Sequence, residues 1–381
     1  MKYRDVLKCV TINLIGCICI NSLTVASSLA AEENGMRPGP AVWIEEYWDV
    51  KTEKFDEFVL AYKRDVYSIS RRVPGYRGYT FLTNLPDENG FPRPYRKPDE
   101  MLTGHYAIQL QGKILTEQLV DIGKLMTRTH NVIVVHHLQN WANAQTFREN
   151  LERIYADEHN GEKYSEALAK SLYPLANNYW ETTFRLIETG LPMEPEMTAN
   201  GLDADGYNLE PHTTKDGWYK EYFDVNAEDL DAFLDAYKSN TLVVMKPIAG
   251  YRGVTIVTTL PPTPDEAKRT KYNGQTLGGP SEFYVPQPGV MMGGTVRTDT
   301  SINYSLLFKP TFTIITYYNF PWTGTNMLEE MSKNFQRDHP GEDRIKRITE
   351  VLFPHVQNHW DMHYRAIESS FVPTSDTAAN Q

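Results

Sequence analysis

The chain has 381 residues, of which 41% are apolar and 12% aromatic, which suits two globular domains and excludes a largely disordered protein. Its formal charge of −11 argues against a general nucleic-acid binder. All three cysteines, Cys9, Cys17 and Cys19, lie within the first thirty residues.

Residues 1–30 read as a signal peptide. Lys2, Arg4 and Lys8 form a basic start, residues 9–30 are apolar and small, and Ser28 and Ala30 sit at the −3 and −1 positions of a cleavage site. Cleavage after Ala30 predicts export, to a bacterial periplasm, of a chain without cysteine and hence without disulfides or thiol chemistry. The rival reading is a lipoprotein anchored at Cys17 through "LIGC". No later stretch is long and apolar enough to predict a transmembrane span.

Beyond the leader the chain is written twice. "WIEEYWDVKTEKFDEFVLAY" from Trp43 matches "WYKEYFDVNAEDLDAFLDAY" from Trp218, and "PGYRGYT" at 74–80 matches "AGYRGVT" at 249–255, both at an offset of 175. "NYWETTFRLIE" from Asn178 matches "NHWDMHYRAIE" from Asn358 at an offset of 180. Each copy opens with a strand mixing aromatic and charged residues ("AVWIEEYWDV"), as a strand with two differently solvated faces would. Phe55, Phe58, Ala61 and Tyr62 recur at helical spacing. A glycine turn then leads into "YRGYTFLTNL", and a long insertion follows, about 86–130 in the first copy and 261–310 in the second. "NVIVVHHLQNW" and "TFTIITYYNFPW" supply the third strands. Helices broken at Asn160-Gly161 and Pro340-Gly341 follow, and closing strands begin at Trp180 and Trp360. Strand, helix, strand, strand, helix, strand is the ferredoxin-like plan, one sheet covered by helices on one face. The expected organisation is a first repeat at 41–190, a linker at 191–215, a second repeat at 216–371 and a flexible tail at 372–381.

The "Trp-x-x-x-Tyr" strand, the "Pro-Gly-Tyr-Arg-Gly" turn and "Trp-x-Asn-x-x-x-Phe" from Trp141 to Phe147 together resemble the dimeric α+β barrel superfamily, nearest to its antibiotic-biosynthesis-monooxygenase-like members. The resemblance covers most of both units and neither insertion. It implies a single-chain pseudo-dimeric barrel of α+β class built from two tandem ferredoxin-like repeats. It also implies an activity among cofactor-free monooxygenases, haem proteins and small-molecule-degrading enzymes, with no catalytic residue to carry over.

The residues themselves leave several chemistries open. Gly75, Gly78, Gly250 and Gly253 suit tight turns. Arg77 and Arg252 are read first as partners of carboxylates such as Glu46 and Glu221, with stabilisation of an anion in the barrel as the alternative. His159 and His339 fall at helix ends, where an imidazole suits the terminal carbonyls. Function is expected where the halves differ. His136 and His137, aligned with Tyr317 and Tyr318, place one imidazole inside the barrel and one towards the helices, as candidate proton shuttle or haem ligand. His355, His359 and His363 would share one face of a helix and could hold haem iron, although a strand starting at Trp360 would remove His363 from it. No phosphate loop, His-Glu-x-x-His helix or Gly-x-Ser-x-Gly elbow occurs.

These features predict an exported oxidoreductase, monooxygenase-like with His136 or His137 as base, or haem-dependent. It would act on a small apolar or aromatic molecule in a barrel roofed by the insertions. The alternative is a non-catalytic binding or scaffold protein. Whether haem or no cofactor is used stays open, and further association into a homo-oligomer is allowed.

Overall fold

A computed structural model describes residues 37–38, 41–87, 109–110, 113–114, 130–189, 207–213, 216–225, 229–259, 291–292, 294–295, 312–318 and 324–371. The leader, most of both insertions, most of the linker and the tail lie outside the described residues.

Eight strands carry the architecture: β1 (Val42–Val50), β2 (Tyr76–Thr83), β3 (Val132–Leu138), β4 (Ala176–Thr189), β5 (Gly217–Val225), β6 (Tyr251–Thr258), β7 (Phe312–Tyr318) and β8 (Val356–Phe371). All pair antiparallel, in the order β4-β6-β7-β5-β8-β2-β3-β1, and β1 pairs back onto β4, so the sheet closes into a barrel. Within the N-terminal half the order is β2-β3-β1-β4, and within the C-terminal half β6-β7-β5-β8. The halves join where β8 meets β2 and where β6 meets β4. Outer strands Arg37–Pro38 and Tyr207–Thr213 pair with the far ends of β4 and β8.

Helices cover the outside. In the N-terminal half these are α1 (Phe55–Tyr62), α2 (Trp141–Glu158) and α3 (Tyr164–Ser171); in the C-terminal half, α4 (Leu230–Tyr237), α5 (Gly324–Asp338) and α6 (Arg344–Val351). After α1 and after α4 the helix loosens into a π-helical turn, Lys63–Tyr67 and Lys238–Leu242, at equivalent places. Among the described residues no helix is long and apolar enough to cross a membrane.

Strand alternation sorts β1 into two sets. Trp48 meets Phe58 and Tyr62 of α1, so Val42, Ile44, Glu46, Trp48 and Val50 face the helices. Trp43, Glu45 and Tyr47 point into the barrel, where Trp43 meets Trp218 of β5. The expectation of one solvated face fails, because helices cover one side of β1 and the opposite half covers the other. Glu45 and Glu46 are both fully buried, at 0% and 1% exposure. The closing strands also start earlier than expected, at Ala176 and Val356, because pairing with β1 and β5 already begins there.

The duplicated Gly-Tyr-Arg-Gly stretch makes a β-bulge in both halves. Pairing slips between Tyr76 and Gly78 and again between Tyr251 and Gly253, leaving Arg77 and Arg252 as the extra residues. Gly75 and Gly78 have φ of 75° and 113°, and Gly250 and Gly253 have 88° and 139°, conformations that favour glycine. The turn is clasped by the start of α2. Asn140 caps that helix through Asn143 N–H at 3.0 Å, Gln139 N–H donates to Gly75 C=O at 2.8 Å, and a Cβ on Gly75 would run into the Asn143 carboxamide. The motif therefore fixes shape.

Gly75→Ala is expected to destabilise the protein by about 2–3 kcal/mol, combining left-handed strain with displacement of Asn143. Gly161→Ala, with φ of 87° but open space around it, is expected to cost about 1 kcal/mol. Urea denaturation of the two variants measures the difference, and equal losses would show that the Asn143 contact contributes nothing.

Candidate functional site

A charged and hydrogen-bonded cluster lies between sheet and helices in the N-terminal half. Glu46 on β1 and His136 on β3 face α1 and α2 from adjacent strands. Glu46 Oε2 accepts from Tyr62 O–H at 2.7 Å and from Trp48 Nε1–H at 3.1 Å. Glu46 Oε1 lies 3.3 Å from His136 Nε2 and 3.1 Å from Arg148 Nη2. The other imidazole nitrogen, Nδ1, is 3.0 Å from Tyr76 Oη, and Tyr62 Oη is 2.9 Å from Nε2. Arg148 continues outward, donating to Tyr179 Oη at 2.9 Å and pairing with Glu181. Phe147 stacks parallel to Tyr76 at 6.0 Å and packs on His136 at 5.1 Å.

The electrostatics follow from this geometry. Burial pushes the Glu46 carboxyl up, but His136, Arg148 and the Tyr62 hydroxyl more than offset it and hold the pKa at about 2. Burial holds the Tyr76 and Tyr62 phenols well above their ordinary range, so both keep their protons at neutral pH. A neutral imidazole donating through Nε2 towards Glu46 can accept the Tyr76 proton at Nδ1. Once protonated it donates through both nitrogens, with the Glu46 carboxylate balancing its charge.

The cluster belongs to one half only. Strand register pairs His137 with Trp43 and Tyr317 with Trp218, so His137 matches Tyr317, and His136 matches Thr316. The alignment with Tyr317 and Tyr318 is therefore corrected by one residue. Glu221, Tyr237 and Tyr251 repeat Glu46, Tyr62 and Tyr76, and Tyr237 still donates to Glu221. At the positions of His136, Trp48 and Arg148, however, the second half has Thr316, Phe223 and Leu328.

His137 points into the barrel, as one of the adjacent pair must. Its Nε2 bonds Thr80 Oγ1 at 2.8 Å, and Trp43 meets its ring edge-on at 5.2 Å. Further along the axis Lys220 Nζ bonds Glu45 Oε2 at 2.5 Å, and Tyr47 O–H donates to the same oxygen at 2.5 Å. His130 Nε2 lies 2.8 Å from Tyr364 Oη. Burial and Lys220 depress the His130 pKa to about 3. Burial, Arg77 and His136 push His137 well down too. Along the barrel axis these buried side chains bond one another, and His137 lies among them.

The remaining candidates do not converge. Arg252 pairs with Asp216, and Glu221 bonds Tyr237 instead. Residue 41, which matches Asp216, is Ala41, and the cation on Glu46 is Arg148, not Arg77. His355 ends a short 3-10 turn, 3.5 Å from Asp229. His359 and His363 lie in β8, about 13 Å apart at the rise of a strand, so the shared helical face does not exist. The His363 Nδ1 bonds Tyr318 O–H at 2.9 Å and its ring stacks on Tyr219. His136 has both imidazole nitrogens engaged, Nδ1 by Tyr76 and Nε2 by Tyr62 and Glu46, so it does not fit a haem. His137 and His363 each bond one nitrogen to a buried hydroxyl, an arrangement that a metal-ligating imidazole also shows. His159 and His339 cap helix ends as expected, with His159 Nδ1 2.9 Å from Tyr155 C=O and His339 N–H donating to Phe335 C=O.

Sequence reasoning found His136 but missed Arg148, Tyr62 and Tyr76 as its companions. A signal was present: Glu45-Glu46 is a pair of adjacent acids inside an otherwise aromatic strand, which closure must bury on opposite faces.

No protein-family model and no curated protein matches the chain. Solved structures similar to it include an anthrone oxidase-like protein, at 11% identity over 87% of this chain and 94% of that one with a TM-score of 0.36. Another is a tryptophan-to-phenylalanine mutant of chlorite dismutase from Candidatus Nitrospira defluvii in complex with cyanide, at 8% identity over 86% and 91% with a TM-score of 0.35. Likeness at this level bears on neither chemistry nor substrate, and the barrel rests on the strand register above.

Stability should fall in two stages as pH drops. His130, neutral to about 3 when folded against an ordinary 6.5, gives full stability above 6.5 that declines below it, because the unfolded chain takes the proton first. Glu46, anionic to about 2 against 4.5, adds a loss below 4.5 that reaches about 2 kcal/mol by pH 3. Glu46→Gln is expected to lower stability at pH 7 yet abolish that second stage, measured as urea midpoints from pH 7 to 3. An unchanged pH profile would disprove the assignment.

Proposed function

We propose that this protein is an oxidoreductase of the cofactor-free monooxygenase kind, built from two tandem ferredoxin-like units and exported. Its acid–base site is Glu46, His136 and Tyr76, and its substrate is a small aromatic molecule with an acidic carbon or phenolic proton. The observation that supports this is the one-sidedness of the buried cluster. The C-terminal half has the same strand order and keeps the carboxylate and the tyrosines as Glu221, Tyr237 and Tyr251, yet has Thr316 and Leu328 in sequence at the positions of His136 and Arg148, so the fold does not require the imidazole or the guanidinium. A buried ionic network is also weak evidence for stability, and such networks gather at functional sites.

The chemistry follows from the hydrogen-bond order. Tyr76 is the outermost of the three groups, at 9% exposure. As Tyr76 takes a proton from the substrate, its own proton passes to His136 Nδ1, and Glu46 stabilises the imidazolium. Arg148, reaching from Glu46 towards the surface, offsets the charge of the site. A resonance-stabilised substrate anion can itself reduce dioxygen, so the protein need supply only the base and an apolar surrounding.

Oxygen uptake with a panel of tricyclic phenols and their keto tautomers tests the reading. The wild-type protein is expected to consume oxygen with at least one of them. Tyr76→Phe is expected to lower kcat by about 10²-fold or more with an unchanged melting temperature, and Tyr251→Phe, at the matching position of the other half, to leave kcat unaltered. Equal effects of the two substitutions, or no uptake with any compound, would reject it.

A further inference from the structure

The barrel axis carries a second asymmetry, unrelated to the proton site. Down the axis, equivalent residues of β1 and β5 meet or neighbour each other: Trp43 with Trp218 at 6.1 Å, then Glu45 with Lys220, then Tyr47 and Tyr222 on either side of the Lys220 ammonium. Register establishes the equivalence. Glu45 lies between Val135 of β3 and Thr182 of β4, and Lys220 between Ile315 of β7 and Met362 of β8. Both side chains have 0% exposure. At the centre of the interface between halves, the aromatic residues are copied and the charge is inverted.

We infer that the Glu45–Lys220 pair makes each half's interior face an interaction surface for an opposite half only, its own or that of a second copy of this chain. The inference rests on the tandem-unit reading and not on the activity proposed above. Backbone pairing along β2–β8 and β4–β6 is blind to sequence, and both halves have the same strand order, so main-chain geometry would let like halves pair. Pairing two N-terminal halves would bury glutamate against glutamate, and pairing two C-terminal halves lysine against lysine. A like-charged pair buried there is strongly unfavourable, because each charge loses its solvation and gains no opposite partner.

The full-length chain provides the test. Glu45→Lys places lysine at both axial positions and Lys220→Glu places glutamate at both, so neither variant can close its own barrel favourably. Each alone is expected to melt on the order of 10 °C lower than wild type, or to fail to refold. Refolded together they can pair both unlike faces reciprocally, and native mass spectrometry is expected to show a 1:1 heterodimer in excess over either homodimer. The double variant, with both substitutions in one chain, is expected to return to a monomer. The inference is overturned if either single variant is a monomer as stable as wild type, if joint refolding yields no excess of heterodimer, or if the double variant is no better than the singles.

Discussion

Each four-stranded half has two hydrogen-bonding edges, and the pairing of β2 with β8 and of β6 with β4 removes all four at once. Closure decides what the strands can contain. Once the sheet is a barrel with helices outside, both faces of every strand are interior, and each polar side chain on them must find its partner within the protein. Thr80 with His137 and Ser369, Tyr364 with His130, and Glu45 with Lys220 are the solutions inside the barrel. Glu46 with His136, Tyr62 and Arg148 is the solution outside it. The bulges at Arg77 and Arg252 serve the same closure, since they bend the strands that form the joints between halves.

Much of this architecture is legible in the sequence, because duplication writes every element twice. The offset of 175 alone locates both first strands, both first helices and both glycine turns. What a linear pattern does not carry is which face of a strand meets what. "WIEEYWDV" has the alternation of a strand with a wet face, and only closure shows that there is none. The three histidines of "HVQNHWDMH" have helical spacing by coincidence, because pairing with β5 from Val356 onward commits that stretch to a strand. Arg148 and Tyr62 escape notice because their connection to His136 runs across three elements distant in sequence. The one-residue misalignment of His136 and His137 hides which of them faces the helices.

The two halves have the same strand order and differ in the side chains that fill it. Positions that set backbone geometry, such as Gly75 and Gly250 or Gly78 and Gly253, have stayed the same. Positions that fill the helix-on-sheet layer differ: Phe147 and Met327, Leu151 and Met331. The C-terminal layer is accordingly richer in methionine, a flexible residue that tolerates such change. Against that background the ionisable groups divide: the carboxylate and two tyrosines recur as Glu221, Tyr237 and Tyr251, whereas His136 and Arg148 occur in one half only.

Glu45 and Glu46 show how neighbouring residues of one strand come to opposite uses. Glu45 turns inward to Lys220. Burial favours a neutral amine there while the carboxylate favours the ammonium, and the same carboxylate oxygen accepts from Tyr47 O–H. Glu46 turns outward to an imidazole and two phenols, joined by hydrogen bonds of about 3 Å. The strand alternation that separates them by one residue therefore places one carboxylate between the halves and the other under the helices of its own half.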